Sequence, residues 1–410
     1  MPGLTHDLQQ LRQAMASGQT PRTQPLEQAL EASTQAACEH TYLLSPQSIL
    51  QQALADAARP SGLADLPLCG MPVSIKDLFD VAGQSTLAAS VVLKGSAPAA
   101  LDCPAVARLR AAGGLIAGRT NMTEFAFSGV GINPHYGTPV NPSDRLVQRI
   151  PGGSSSGAAV SVALGAAIAG LGSDTGGSLR IPAALCGLVG FKSTAALVPT
   201  AGTLPLSTTL DTVGAITRSV GDAITLHEVL ADRQVQRRGR SLRGAQLAVA
   251  RTWMLEDMEP AVAAAFEASL RIVREAGAHI QELDLSEIAE LGPMNAGGGF
   301  SAAQSYAWHR QLLAEQSPRY DPRVALRILR GAQMSAADYL DLGAARSAWI
   351  ARMMQRLDPF DAVLSPTVPL LAPPIAALEH DDTAFFKANG LLLRNTSVVN
   401  MLDGCAISLP

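Results

Sequence analysis

Charge and aromatic rings are both scarce in this chain. Only 16% of its residues are Asp, Glu, Lys or Arg, and only 4% are Phe, Trp or Tyr. So few charges beside 47% hydrophobic residues exclude a disordered or heavily solvated chain and favour a large buried core. The lack of aromatics removes the stacking platforms that single-stranded nucleic acid requires. A formal net charge of −4 supplies no basic field for nucleic acid or for an anionic membrane. Cysteine is sparse and odd in number: Cys38, Cys69, Cys103, Cys186 and Cys405, with no CxxC pair. No HxxxH occurs among the seven histidines. Neither a zinc site nor a disulfide framework is expected, and the thiols read as reduced cysteines of a cytoplasmic protein. The N-terminal MPGLTHDLQQLRQ has no apolar h-region, so no signal peptide is expected. The longest apolar run, AAVSVALGAAIAGL (158–171), is too short to cross a bilayer and too rich in small residues. It reads as a tightly packed internal element.

What is present is alternation of helical and strand patterns. Residues 1–60 carry helical spacing in THDLQQLRQAMASG and TQPLEQALEASTQAA, and read as a helical segment packing on a core formed by 61–410. LPLCGMPVSIKDLFDVAG (66–83) reads as short strands and turns. AVARLRAAGG (105–114) has the pattern of an amphipathic helix, and LIAGRT (115–120) that of a buried strand. This order predicts an α/β fold, with a central mixed, largely parallel sheet covered by helices on both faces. Residues 129–153 are loop-rich. A helix is expected from about 156, a strand near 167–173 and a turn at 174–177. SVGDAITLHEVLA (219–231) reads as a helix with Asp222 in its first turn, and RRGRSLRGAQ (237–246) as a basic surface connection. QLAVAR (246–251) and GAHIQELD (277–284) read as strands around the helix PAVAAAFEASLRIVREAG (260–277). Residues 287–357 look mainly helical, FDAVLSPTVP (360–369) carries a late strand, and NAGGGF (295–300) suggests a flexible, pocket-facing loop.

GSDTGGSLRIP (172–182) places Gly176 and Gly177 directly before Ser178, at the end of an expected strand. That arrangement often exposes a nucleophile, yet no histidine stands near it to take the proton. The stretch GSSSG (153–157) matches the GxSxG nucleophile elbow, with Ser155 at its centre. An elbow needs a strand directly before it, and here RLVQRIPGG precedes it; an HGGG-type oxyanion loop is also missing. A Walker phosphate loop fails because no GK[ST] follows. A glycine-serine turn at a helix N-terminus instead gathers N–H groups and hydroxyls into one small space. One helix-and-strand excursion separates Ser154 from Ser178, and such a return can bring the two hydroxyls together. The N–H groups of Thr175, Gly176, Gly177 and Ser178 could then converge as an oxyanion hole, or the two glycines could serve only a tight turn. Lys76, inside the apolar PVSIKDLF, likewise has two readings. It could point outward or pair with Asp77 or Asp80. Alternatively, burial could lower its pKa from ~10.4 and leave a neutral amine as general base.

Together these segments resemble the amidase signature family. The resemblance rests on PGGSSSGAAVSVALGAAIAGLGSDTGGSLRIPAALCGLVGFKST (151–194), GMPVSIKDLFDVAG (70–83), GRTNMTEFAFSG (118–129) and DAVLSPTVPLLAPP (361–374), and covers about 60–410. It implies a triad in which Ser178 is the nucleophile, Ser154 the bridging serine in a cis peptide and Lys76 the base. It also implies hydrolysis of an amide to an acid plus ammonia or amine through an acyl-enzyme, without metal or organic cofactor. Ser155 and Ser156 become supporting residues. Asp174 and Arg180 match signature positions, where they would pair and hold the turn. Asn121, Met122, Thr123 and Phe125 are candidates to line the pocket, with Gly298, Gly299, Phe300 and Tyr306 to cover it. The expected partner is a small-molecule amide, with no nucleic acid bound directly and no membrane, in a monomer or homodimer. Three alternatives stand beside this reading. One is the A-type glutaminase component of a tRNA-dependent amidotransferase. Another is a hydrolase of carbamates or urea-derived amides such as allophanate. The third is a non-catalytic binding module, which the intact Lys76, Ser154 and Ser178 argue against. Family members usually continue past MLDGCAISLP with a further strand and helix, so an exposed sheet edge is expected at that end.

Overall fold

A computed structural model describes residues 3–56, 62–236, 239 and 241–410. The boundary expected at 60/61 lies outside the described residues. Arg237, Arg238 and Arg240 of the basic connection also lie outside them. The strands are β1 (Tyr42–Leu44), β2 (Pro72–Lys76), β3 (Leu115–Thr120), β4 (Ala169–Asp174), β5 (Val189–Lys192), β6 (Thr212–Thr217), β7 (Gln246–Ala250), β8 (His279–Leu283), β9 (Ala362–Leu364) and β10 (Ala406–Ser408).

Seven strands form one sheet in the order β1-β3-β2-β4-β6-β5-β10. β2 pairs parallel with both β3 and β4, as the helix–strand alternation predicts. β6 inserts antiparallel between β4 and β5, so β2, β3, β4 and β5 point one way. β1 and β10 pair antiparallel at the two edges. A smaller, wholly parallel sheet, β8-β7-β9, is formed by the later strand patterns.

β2 carries Lys76, and all five of its residues are buried. Side chains alternate faces along a strand, so Ser74 and Lys76 share one face. The helix Ser156–Ala163 covers that face, and Ser74 Oγ lies 2.8 Å from Ser161 Oγ. The helix can approach closely because its residues are small: a Cβ added to Gly170 of β4 would lie 2.9 Å from the Ala158 Cβ. Leu8, Leu11, Leu26 and Ala29 of the first two helices join the main core cluster with Val73 and Ile75. A separate cluster around the buried Trp349 seats the helices of 287–357 on the smaller sheet.

The NAGGGF stretch is a loop only in part: residues 295–298 form a turn that is largely exposed. Gly299 and Phe300 open the helix Gly299–Gln316, and Phe300 is buried with its ring 5.7 Å from that of Tyr339. Tertiary packing overrides the local glycine signal there.

Candidate active site

Lys76 ends β2 in the middle of the large sheet and is fully buried. Its Nζ donates to Ser154 Oγ at 2.7 Å and to Ser173 Oγ at 2.8 Å. The two acids considered as surface partners are engaged elsewhere. Asp77 pairs with Arg119 at 2.7 Å, and Asp80 accepts from Thr86 Oγ1 at 2.7 Å. Burial disfavours the ammonium and lowers the Lys76 pKa to about 7, even though the charges of Asp174 and Asp211 favour the protonated form.

Ser154 follows a cis peptide bond after Gly153. The turn is tightly enclosed: Gly153 N–H donates to the Gly129 carbonyl at 2.8 Å, and Thr123 N–H donates to the Ser154 carbonyl at 3.2 Å. A side chain at Gly153 would meet Gly131 N at 2.7 Å and Thr123 Oγ1 at 2.8 Å. Ser155 ties this turn to the second one, since its N–H donates to the Ser178 carbonyl at 3.3 Å and its hydroxyl to the Ser173 carbonyl at 3.3 Å. Ser156 opens the helix and reaches the Asn121 carbonyl at 3.4 Å. Ser178 follows β4 and is 4% exposed, whereas Lys76 and Ser154 are at 0%. Of the three, Ser178 is the one that touches solvent.

The loop before Ser178 is held by ions. Arg180 Nε and Nη2 each donate to the Asp174 carboxylate at 3.0 Å. Burial pushes the Asp174 carboxyl up, but the Arg180 guanidinium outweighs it and holds the group down at about 2. The Asp174 carboxylate also accepts the Gly177 N–H at 2.8 Å and the Leu179 N–H at 3.2 Å. Gly177 N–H is therefore engaged within the loop. Among the described residues, the N–H groups of Thr175, Gly176 and Ser178 have no such partner.

The pocket candidates separate into distinct roles. Asn121 bridges backbone: its amide donates to the His40 and Gly137 carbonyls at 2.9 and 2.8 Å. Met122 is in the core, and Phe125 stands in an aromatic cluster 4.3 Å from the His309 ring. Thr123 lies beside Gly153, as described, and Tyr306 packs against the main core from its rim.

Sequence reasoning missed Ser173, Asp211, Thr396 and Asn400. Ser173 was within reach, because it sits at the end of β4, the strand beside β2. The others come from distant segments. Asn400 accepts from Arg180 at 2.7 Å and donates to the Asp174 carboxylate at 2.9 Å, while Thr396 Oγ1 donates to the Gly176 carbonyl at 2.6 Å. Asp211 accepts the Thr175 hydroxyl at 2.6 Å. All five cysteines are free thiols. Among the described residues no group of three His, Cys, Asp or Glu is placed to hold a metal, and no helix is long and apolar enough to cross a membrane.

Comparison with known proteins places the chain in a family. Residues 23–410 match the family described as Amidase. The 2-amino-5-chloromuconic acid deaminase of Comamonas testosteroni is 36% identical over 350 residues, covering 84% of this chain and 75% of that protein. The A-type component of the glutamyl-tRNA(Gln) amidotransferase from Symbiobacterium thermophilum is 32% identical over 394 residues, covering 87% and 79% respectively. A crystal structure described as an amidase superposes with a TM-score of 0.85 at 29% identity, over 99% of this chain and 92% of that one. With a match running through nearly the whole chain and both serine turns inside it, this protein belongs to the amidase signature family, hydrolases of amide C–N bonds.

Proposed function

We propose that the chain hydrolyses a small-molecule carboxylic amide through an acyl-enzyme on Ser178, with Ser154 relaying the proton to a neutral Lys76. The observation that carries this reading is the buried amine 2.7 Å from the Ser154 hydroxyl, with a pKa of about 7. A neutral amine accepts the Ser154 proton, Ser154 accepts that of Ser178, and Ser178 Oγ attacks the amide carbon. The N–H groups of Thr175, Gly176 and Ser178 receive the oxyanion. In comparable sites, losing one such donor lowers kcat about 100- to 1000-fold. The relay then protonates the leaving amine or ammonia, and water releases the acid by the reverse roles.

The test is a panel of amides, esters and carbamates, including urea-derived amides, assayed with wild type, Ser178→Ala and Lys76→Ala. Both variants lose nearly all hydrolysis, and the wild-type rate rises with pH through about 7 as the amine loses its proton. A Lys76→Ala enzyme with full activity and an unchanged pH profile would remove the proposed base. The similarity to the A-type components of amidotransferases supports a second reading, a glutaminase that works inside a complex. That version predicts near-inactivity of the isolated chain toward simple amides, with glutamine hydrolysis appearing only with partner proteins.

A further inference from the structure

We propose that Asp211 is a positioning residue: through the Thr175 side chain it aims the oxyanion-binding backbone. The inference rests on the acyl-enzyme reading above. Asp211 comes from the loop between β5 and β6, outside every motif that marks the triad. Its Oδ1 accepts the Thr175 hydroxyl at 2.6 Å, and its Oδ2 accepts the N–H groups of Leu206 and Ser207 at 3.0 and 3.1 Å. Thr175 lies between Asp174 and Gly176, so fixing its side chain fixes the peptide planes whose N–H groups are free to meet an oxyanion.

The loop carrying Asp211 is itself anchored. Ser207 Oγ donates to Gln304 Oε1 at 2.6 Å, and Gln304 Nε2 donates to Thr209 Oγ1 and Tyr339 Oη at 2.5 and 2.6 Å. A hydrogen-bonded line thus runs from the helices Gly299–Gln316 and Ala336–Leu357 to the nucleophile loop.

Two acids favour the protonated Lys76 amine, Asp174 more strongly and Asp211 next, and they differ in how they are paired. Asp77 is neutralised by Arg119, and Asp174 by Arg180 with Lys192 nearby. The Asp211 carboxylate receives neutral donors instead, so burial, the largest influence, raises its pKa to about 6. When ionised it favours the protonated Lys76 amine. Removing that negative charge lowers the pH at which the amine becomes free.

The experiment follows phosphonylation of Ser178 by a fluorophosphonate, in which the Oγ–P bond forms, the P–F bond breaks, fluoride leaves and the serine proton passes to Lys76. Rates are measured across pH for wild type, Asp211→Asn, Thr175→Val and Thr175→Ser, with melting temperatures alongside. Asp211→Asn is expected to lower the plateau rate roughly tenfold or more and to move the acid limb to lower pH. Thr175→Val shows a similar plateau loss, and Thr175→Ser, which keeps the hydroxyl, recovers it. Wild-type rates and an unmoved acid limb in folded Asp211→Asn and Thr175→Val overturn the inference. If Asp211→Asn does not fold, the Thr175 pair decides: equal rates for Thr175→Val and Thr175→Ser reject it. A wild-type enzyme left unlabelled at Ser178 overturns the acyl-enzyme reading itself, and this inference with it.

Discussion

Among the described residues Lys76 has no carboxylate in contact, and its two hydrogen-bond partners there are serine hydroxyls. A lysine so placed carries its charge only at a penalty, and it weakens the fold. Between about pH 7, where it titrates in the native state, and ~10.4, where it titrates unfolded, the unfolded chain holds the extra proton. Stability therefore rises with pH across that window, and the full penalty is present below about 7. Lys76→Met is predicted to abolish hydrolysis and to stabilise the protein at neutral pH by a few kcal/mol. The gain narrows toward pH ~10. Urea melts at neutral and alkaline pH check this, and a Lys76→Met protein no more stable than wild type at pH 7 would contradict it.

At the level of elements, the decisive unit is the turn between β4 and the helix Arg180–Leu185. Gly177 has φ of +139°, a region closed to side-chain-bearing residues, and a Cβ there would collide with Thr396 Oγ1 and crowd Ile181. Gly177→Ala is therefore expected to lower both melting temperature and kcat. The Asp174–Arg180 pair is buried, with side chains 0% and 4% exposed. Breaking it by Arg180→Met leaves a buried carboxylate without its cation, at a cost of about 3–5 kcal/mol in chemical denaturation. The sign of its pH dependence is opposite to that of Lys76. The native Asp174 pKa, about 2, lies below the ordinary 3.8, so its contribution is complete above the ordinary value and is lost as pH falls through about 2.

Across the whole molecule, the turn carrying Ser178 is braced from two distant parts of the chain. The segment Thr396–Met401 supplies a carbonyl and an amide to Arg180, and the helices near Gln304 and Tyr339 hold the Asp211 loop. Deleting residues 395–410 removes one brace together with β10. The shortened chain is predicted to lose fluorophosphonate labelling of Ser178 and to melt at lower temperature. Retention of wild-type labelling would show the turn to be self-supporting.

The stretch from 66 to 194 was legible in the residues themselves, because spacing, small side chains and paired glycines act locally. LIAGRT is β3, the helix after Ser155 begins at Ser156, and the β4 pattern leads into the nucleophile turn. Local patterns do not encode what lies across the sheet. Whether Lys76 faced solvent or the core was open until β3 and β4 closed on either side of β2. The insertion of β6 between β4 and β5 was equally invisible, since β4 and β5 follow one another around the helix Arg180–Leu185 and that order would set them side by side. Asp211, Thr396 and Asn400 carry no motif. The sequence alone determined which hydroxyls, amine and backbone turns are available to the proposed chemistry. Tertiary structure decided which of them are dry, which are paired and which meet solvent, because desolvation and ion pairing depend on neighbours that folding brings from hundreds of residues away.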